Sequence, residues 1–195
     1  MRQFIFNKIK SLRVYKYVVK HWLPKIRFSW CHSAITGKQY REGYALLRPG
    51  YIILSTDSKR LSTAITPGVW AHAALCVSKG GDYEVAEMTA KGFTKSDFYD
   101  ICHTSDRVVL LDCFDWDDEY TRQVLKQCAK LEDVKYDVDF QLDNAALYCS
   151  ELIYFCDTEQ RLGLQLRDIL GTMYVLPDDI YHATNINIIW DSGVV

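Results

Sequence analysis

Two short apolar runs, residues 71–77 and 83–88, stand on either side of Lys79-Gly80-Gly81-Asp82. This arrangement constrains the chain more than any other feature, because two extended segments joined by a glycine-containing turn form an antiparallel hairpin. Neighbouring segments add strands. Residues 51–54 follow Pro49-Gly50 and read as a strand leaving a turn, residues 107–111 are β-branched and apolar, and residues 186–190 supply a last strand. Helical spacing appears elsewhere. Residues 96–102 predict a short helix capped by Ser96. Residues 115–131 predict a longer one with an acidic first turn and Tyr120, Val124, Leu125, Cys128 and Leu131 on one face. Residues 148–156 predict a third, with Leu152, Ile153 and Cys156 turned to the core. Strands grouped mid-chain, with helices on both sides, imply an α+β domain.

Charge divides the chain. Residues 1–41 hold ten Lys or Arg and no Asp or Glu, although the whole protein is close to neutral at −2. The remainder therefore carries all 25 acids against thirteen bases. Within residues 1–30, Ile5, Ile9, Leu12, Val19, Trp22 and Ile26 recur at roughly helical spacing, and Pro24 breaks or kinks the pattern. The expected organisation is a basic amphipathic arm over residues 1–40 and one domain over residues 41–195. Such an arm can pack its apolar stripe on the domain or on a partner protein, or it can bring its basic face to a membrane surface or a nucleic acid. An organelle-import presequence fits less well, since Ser and Thr are sparse before residue 29.

No run of 18 apolar residues predicts a membrane-spanning helix, and the N-terminus lacks the apolar core and cleavage site of a secretion signal. The seven cysteines, Cys31, Cys76, Cys102, Cys113, Cys128, Cys149 and Cys156, are odd in number and never form a Cys-x-x-Cys pair. This favours a reducing compartment, cytoplasmic or inside a viral or phage particle, over a disulfide framework or a zinc ribbon. No metal or other cofactor is expected. Cys102-His103 with Cys113 has irregular spacing for a metal site, and Asp115, Asp117, Asp118 and Glu119 lack the glycine of a calcium loop.

Two places carry chemistry. His72 opens one strand of the hairpin and Glu87 lies near the end of the other, so pairing brings them together; a carboxylate beside an imidazole fixes its tautomer and favours its charged form. The plainer reading of His72 is a core histidine. In Leu147-Tyr148-Cys149-Ser150-Glu151-Leu152 a cysteine stands at a helix N-terminus, where the dipole and free N–H groups stabilise a thiolate and can hold an oxyanion. The plainer reading of Cys149 is a buried structural thiol.

Several segments, taken in order, resemble the YiiX/YebB-like group of permuted, NlpC-type papain-like hydrolases. They are Leu47-Arg48-Pro49-Gly50-Tyr51-Ile52-Ile53, Thr66 through His72-Ala73-Ala74-Leu75, Val85-Ala86-Glu87 followed by Lys91-Gly92-Phe93, and Tyr136-Asp137-Val138-Asp139-Phe140 leading into Tyr148-Cys149-Ser150-Glu151-Leu152. The resemblance covers residues 47–156 and implies a circularly permuted papain-like fold, with a small antiparallel sheet packed on the helix that carries the cysteine. It implies Cys149 as nucleophile, His72 as base and Glu87 as the orienting acid, in the reverse of papain's Cys-first order. Glu84 is the alternative acid, three residues away and so directed to the other strand face. Tyr136 and Tyr148 are candidates for lining the substrate site or supporting an oxyanion, or are ordinary core aromatics. The group's aspartate after Pro-Gly is Tyr51 here.

The expected activity is hydrolysis of an amide, in a peptide, a cell-wall fragment or an amide-linked lipid, through an acyl-enzyme on Cys149. The alternative is a binding or structural module that keeps a relic triad and is anchored in an assembly by its basic arm.

Overall fold

The computed structural model describes residues 35–57, 68–137, 145–169 and 172–193. The basic arm of residues 1–30, Cys31, Thr66, and residues 138–140 of the Tyr-Asp segment lie outside the described residues.

Six strands form one sheet in the order β10-β5-β1-β2-β3-β4, every neighbouring pair antiparallel. They are β1 (Ile52–Thr56), β2 (His72–Cys76), β3 (Val85–Thr89), β4 (Gly92–Ser96), β5 (Arg107–Cys113) and β10 (Ile186–Asp191). Two-residue strands β6 (Lys135–Tyr136) and β7 (Ala146–Leu147) pair in parallel, and β8 (Arg167–Ile169) pairs with β9 (Thr172–Tyr174). Five helices lie among the described residues: α1 (Gly37–Leu46), α2 (Phe98–Thr104), α3 (Asp118–Ala129), α4 (Cys149–Cys156) and α5 (Pro177–Tyr181).

Both faces of the sheet are covered, which is why its central strands read as continuous apolar runs and not as alternation. Ile52, Leu54, Ala73, Leu75, Ala86 and Met88 pack with Tyr120, Val124 and Cys128 of α3 and Leu152, Ile153 and Cys156 of α4. The opposite face sets Ile53, Ala74, Cys76, Val85, Val108 and Leu110 against Phe98, Ile101 and Cys102 of α2, with α1 closing the layer through Tyr40 and Tyr44. A fully buried aliphatic side chain such as Leu152 contributes about 1.5–3 kcal/mol. Helix α1 runs through residue 40: Tyr40 stacks on Phe98 at 6.0 Å, and a Cβ at Gly43 would lie 2.9 Å from the Trp190 ring. Residues 37–40 therefore belong to the packing of the domain.

Local boundaries differ from the sequence reading in instructive ways. Ser96 does not cap a helix; it ends β4, and α2 starts after Asp97, with Asp100 accepting the Asp97 N–H at 3.3 Å. Strand β4 itself, Gly-Phe-Thr-Lys-Ser, is short and polar and lacks a periodic signal, and it exists because β3 offers it a ladder. Helix α3 begins at Asp118, since Asp117 caps it by accepting from Tyr120 N–H at 2.8 Å.

Candidate active site

The site is built where β2 begins. Gly68, at φ +107°, turns the chain into Val69-Trp70, and the Asp178 carboxylate accepts the N–H groups of Val69 (2.8 Å) and Trp70 (3.2 Å). A Cβ on Gly68 would overlap that carboxylate, so glycine is required both for space and for its backbone conformation. Trp70 is buried against Tyr181, anchoring the strand two residues before His72.

Glu87 lies opposite Ala74 in the ladder. His72 is two residues from Ala74 and so projects to the same side, diagonal to Glu87 and within side-chain reach. Its Nε2 lies 2.7 Å from Glu87 Oε2. Ser96 on β4 donates its hydroxyl to the other oxygen, Oε1, at 2.6 Å, so the carboxylate is held from both sides. Glu84 is engaged elsewhere: it accepts from Gly80 N–H in the hairpin turn and from Phe98 N–H at the start of α2, each at 3.2 Å.

The β2–β3 ladder ends at the Ala74–Glu87 pair. Beyond it the Ala73 N–H is directed at the Cys149 sulfur. Helix α4 packs Leu152 and Ile153 on the sheet face bearing Ala73 and Leu75, and its first residue, Cys149, reaches the opening where the strands part. The helix starts there because Tyr148 leaves it in an extended conformation and the Glu151 carboxylate returns to accept the Tyr148 N–H at 3.2 Å. The sulfur also receives the Ser150 N–H and a hydrogen bond from His72. With Nε2 on Glu87, the imidazole nitrogen left for the sulfur is Nδ1.

Burial alone would push the Cys149 thiol up. The His72 hydrogen bond and charge, with the Ala73 and Ser150 N–H groups, overcome it and bring the thiol below its ordinary range. Burial would likewise push His72 down, yet hydrogen bonds and charge from Cys149 and Glu87 raise it to about 10. Both directions favour a thiolate beside an imidazolium. The His72 side chain keeps 26% of its surface exposed, while Cys149 is buried.

Tyr136 and Tyr148 occupy different positions. Burial, then the charges of Cys149 and Asp137, hold the Tyr136 phenol far above its usual range, so it stays protonated in the field of the sulfur. The Tyr148 hydroxyl instead accepts the Val175 N–H at 2.9 Å. Tyr51, in place of the expected aspartate, is half-buried near Asp112 and Arg48. Sequence reading missed Ser96 as a partner of Glu87, and it missed Asp178 entirely. Among the described residues, no group of three or more His, Cys, Asp or Glu lies where it could hold a metal ion.

A family model described as permuted papain-like amidase enzyme, YaeF/YiiX, C92 family, matches residues 46–192. The chain belongs to that family. Membership makes it, at the level of the family, a cysteine-type amidase or peptidase, and the six-stranded antiparallel sheet packed on α4 is its permuted papain-like fold. The chain is also similar to a solved structure described as metalloprotein yiiX from Escherichia coli O157:H7, with a TM-score of 0.63 at 14% identity over 73% of this chain and 96% of that one. At that identity the likeness speaks for the fold, and the described residues gather no metal site of their own. Comparison with curated proteins gives no match. No helix among the described residues is long and apolar enough to cross a membrane.

Proposed function

We propose that this family member hydrolyses an amide bond through a thioester on Cys149, with His72 as acid and base and Glu87 orienting the imidazole. The observation that carries the reading is the unbroken hydrogen-bonded line from Ser96 through Glu87 and His72 to the Cys149 sulfur at the first position of a helix. The Cys149 sulfur attacks the carbonyl carbon, forming a C–S bond as the C=O π electrons move onto oxygen. The N-terminal end of α4 favours that developing charge, and Tyr136 is the nearby phenol able to donate to it. Collapse breaks the C–N bond while imidazolium His72 gives its proton to the departing nitrogen. A water, deprotonated by His72, then attacks the thioester; the C–S bond breaks, the carboxylic acid leaves and the thiolate returns.

A panel of acylated aminocoumarins spanning peptidyl, amino-sugar-linked and long-chain fatty acyl groups tests this, with mass spectrometry of the Cys149 peptide for the acyl adduct. Release of the coumarin with a transient adduct on Cys149 is the expected result. Turnover that persists in Cys149→Ala would overturn the mechanism. A wild-type protein that neither turns over nor accepts any electrophile at Cys149 would favour the binding module.

A further inference from the structure

We infer that residues 175–178 form a brace that sets the distance between the Cys149 helix and the His72 strand, with Asp178 and Ser150 as positioning residues; this rests on the hydrolase reading above. The two side chains flanking Cys149 grip one residue. Tyr148 accepts the Val175 N–H at 2.9 Å, and Ser150 donates to the Val175 carbonyl at 2.8 Å, all in the buried interior. Three residues later Asp178 takes the N–H groups of Val69 and Trp70, just before His72. Between these two grips the chain has little freedom. Val175 is fully buried, Leu176 N–H donates to Asp179 at 2.8 Å, and Pro177 occupies the first turn of α5 with its fixed φ.

Apart from this brace and the hydrogen bonds at the sulfur itself, α4 and β2 meet in the apolar cluster that holds Leu152, Ile153, Ala73 and Leu75. Apolar contact is non-directional and tolerates small slips, whereas hydrogen bonds of defined length and angle do not. An imidazole and a sulfur that must share a proton need that second kind of control. The carboxylate of Asp178 is buried and accepts one backbone donor at each oxygen, and its position dictates glycine at residue 68. That is a demanding arrangement for a segment remote in sequence from both reacting groups.

The test is the pH dependence of Cys149 alkylation by iodoacetamide, resolved by mass spectrometry of the Cys149 peptide, in the full chain and in Asp178→Asn and Ser150→Ala. The ionisable groups around the sulfur, His72, Glu87, Tyr136, Asp137, Tyr148 and Glu151, are untouched in both variants. The expected result is an upward shift of the thiolate profile by about one pH unit, which is about tenfold slower alkylation on the acidic side of the wild-type midpoint, with kcat lowered more than KM is changed. Folded variants with the wild-type profile would overturn the brace while leaving the hydrolase reading intact. Ser150→Ala decides the matter if Asp178→Asn does not fold. A wild-type Cys149 whose reactivity is that of an ordinary thiol, independent of His72, would overturn both.

Discussion

At one end of β2 the Cys76 thiol is buried beside the hairpin turn; at the other, the Cys149 thiol is buried beside His72. The first donates to the Ser78 carbonyl at 3.3 Å and has Glu84 for a neighbour, so burial and then a negative charge push it up to about 12. The second meets the His72 imidazole and two N–H groups and is pulled below its ordinary range although it too is buried. Cys102 and Cys113, pushed up by burial to about 12 and about 11, follow the Cys76 pattern. A buried thiol is thus inert by default, and a thiolate requires specific donors. For Cys149 those donors stand where the β2–β3 ladder stops and the Ala73 N–H is directed at the sulfur.

The strongest way to break this contrast is to remove the reactive sulfur. Cys149→Ala should lower amide turnover by about 10⁴-fold or more while leaving the melting temperature close to wild type. Residual turnover near the wild-type rate would show that the chemistry lies elsewhere.

His72→Gln should convert Cys149 into a thiol of the Cys76 kind. Without the imidazolium, burial dominates, the profile of alkylation against pH moves up by about two units, and the rate on the acidic side of the wild-type midpoint falls about a hundredfold. An unmoved profile would mean that the N–H groups alone make the thiolate.

In the wild-type protein, lowering the pH protonates the thiolate, and raising it through about 10 strips the proton from His72. The pH profile of kcat/KM should therefore be a bell, with its acidic limb below the usual thiol range and its alkaline limb near pH 10; the two limbs belong to the pair jointly. In Glu87→Gln the carboxylate charge that helps raise His72 is gone, so the alkaline limb should move down and turnover at neutral pH should fall about tenfold. A limb that stays in place would remove Glu87 from the proposed line.

Cys76→Ala should have the smallest effect, about 1 kcal/mol of stability by chemical denaturation and no change in Cys149 alkylation. A change in the Cys149 profile would show that the two ends of the strand are coupled.

Much of this was legible in the chain because its signals are local. Gly80-Gly81 between apolar runs specifies the hairpin, the apolar spacing of Leu152, Ile153 and Cys156 specifies a helix beginning at Cys149, and hairpin pairing brings β3 alongside β2. The alternatives at each position were closed by packing. Glu84 and Glu87 are the same residue type three positions apart, and only the ladder register, with the turn and α2 drawing Glu84 away, leaves Glu87 for His72. Ser96 looked like a helix cap from its neighbours, yet β4 turns its hydroxyl to Glu87. Asp178 was invisible among 25 acids, since its partners are backbone N–H groups 108 and 109 residues away, which have no sequence signature. Turn chemistry and periodicity act over a few residues, so the order of residues is enough to say which groups are present and which local elements carry them. Hydrogen-bond distances between remote segments are set when the layers pack, so which of those groups share a proton follows from the packing.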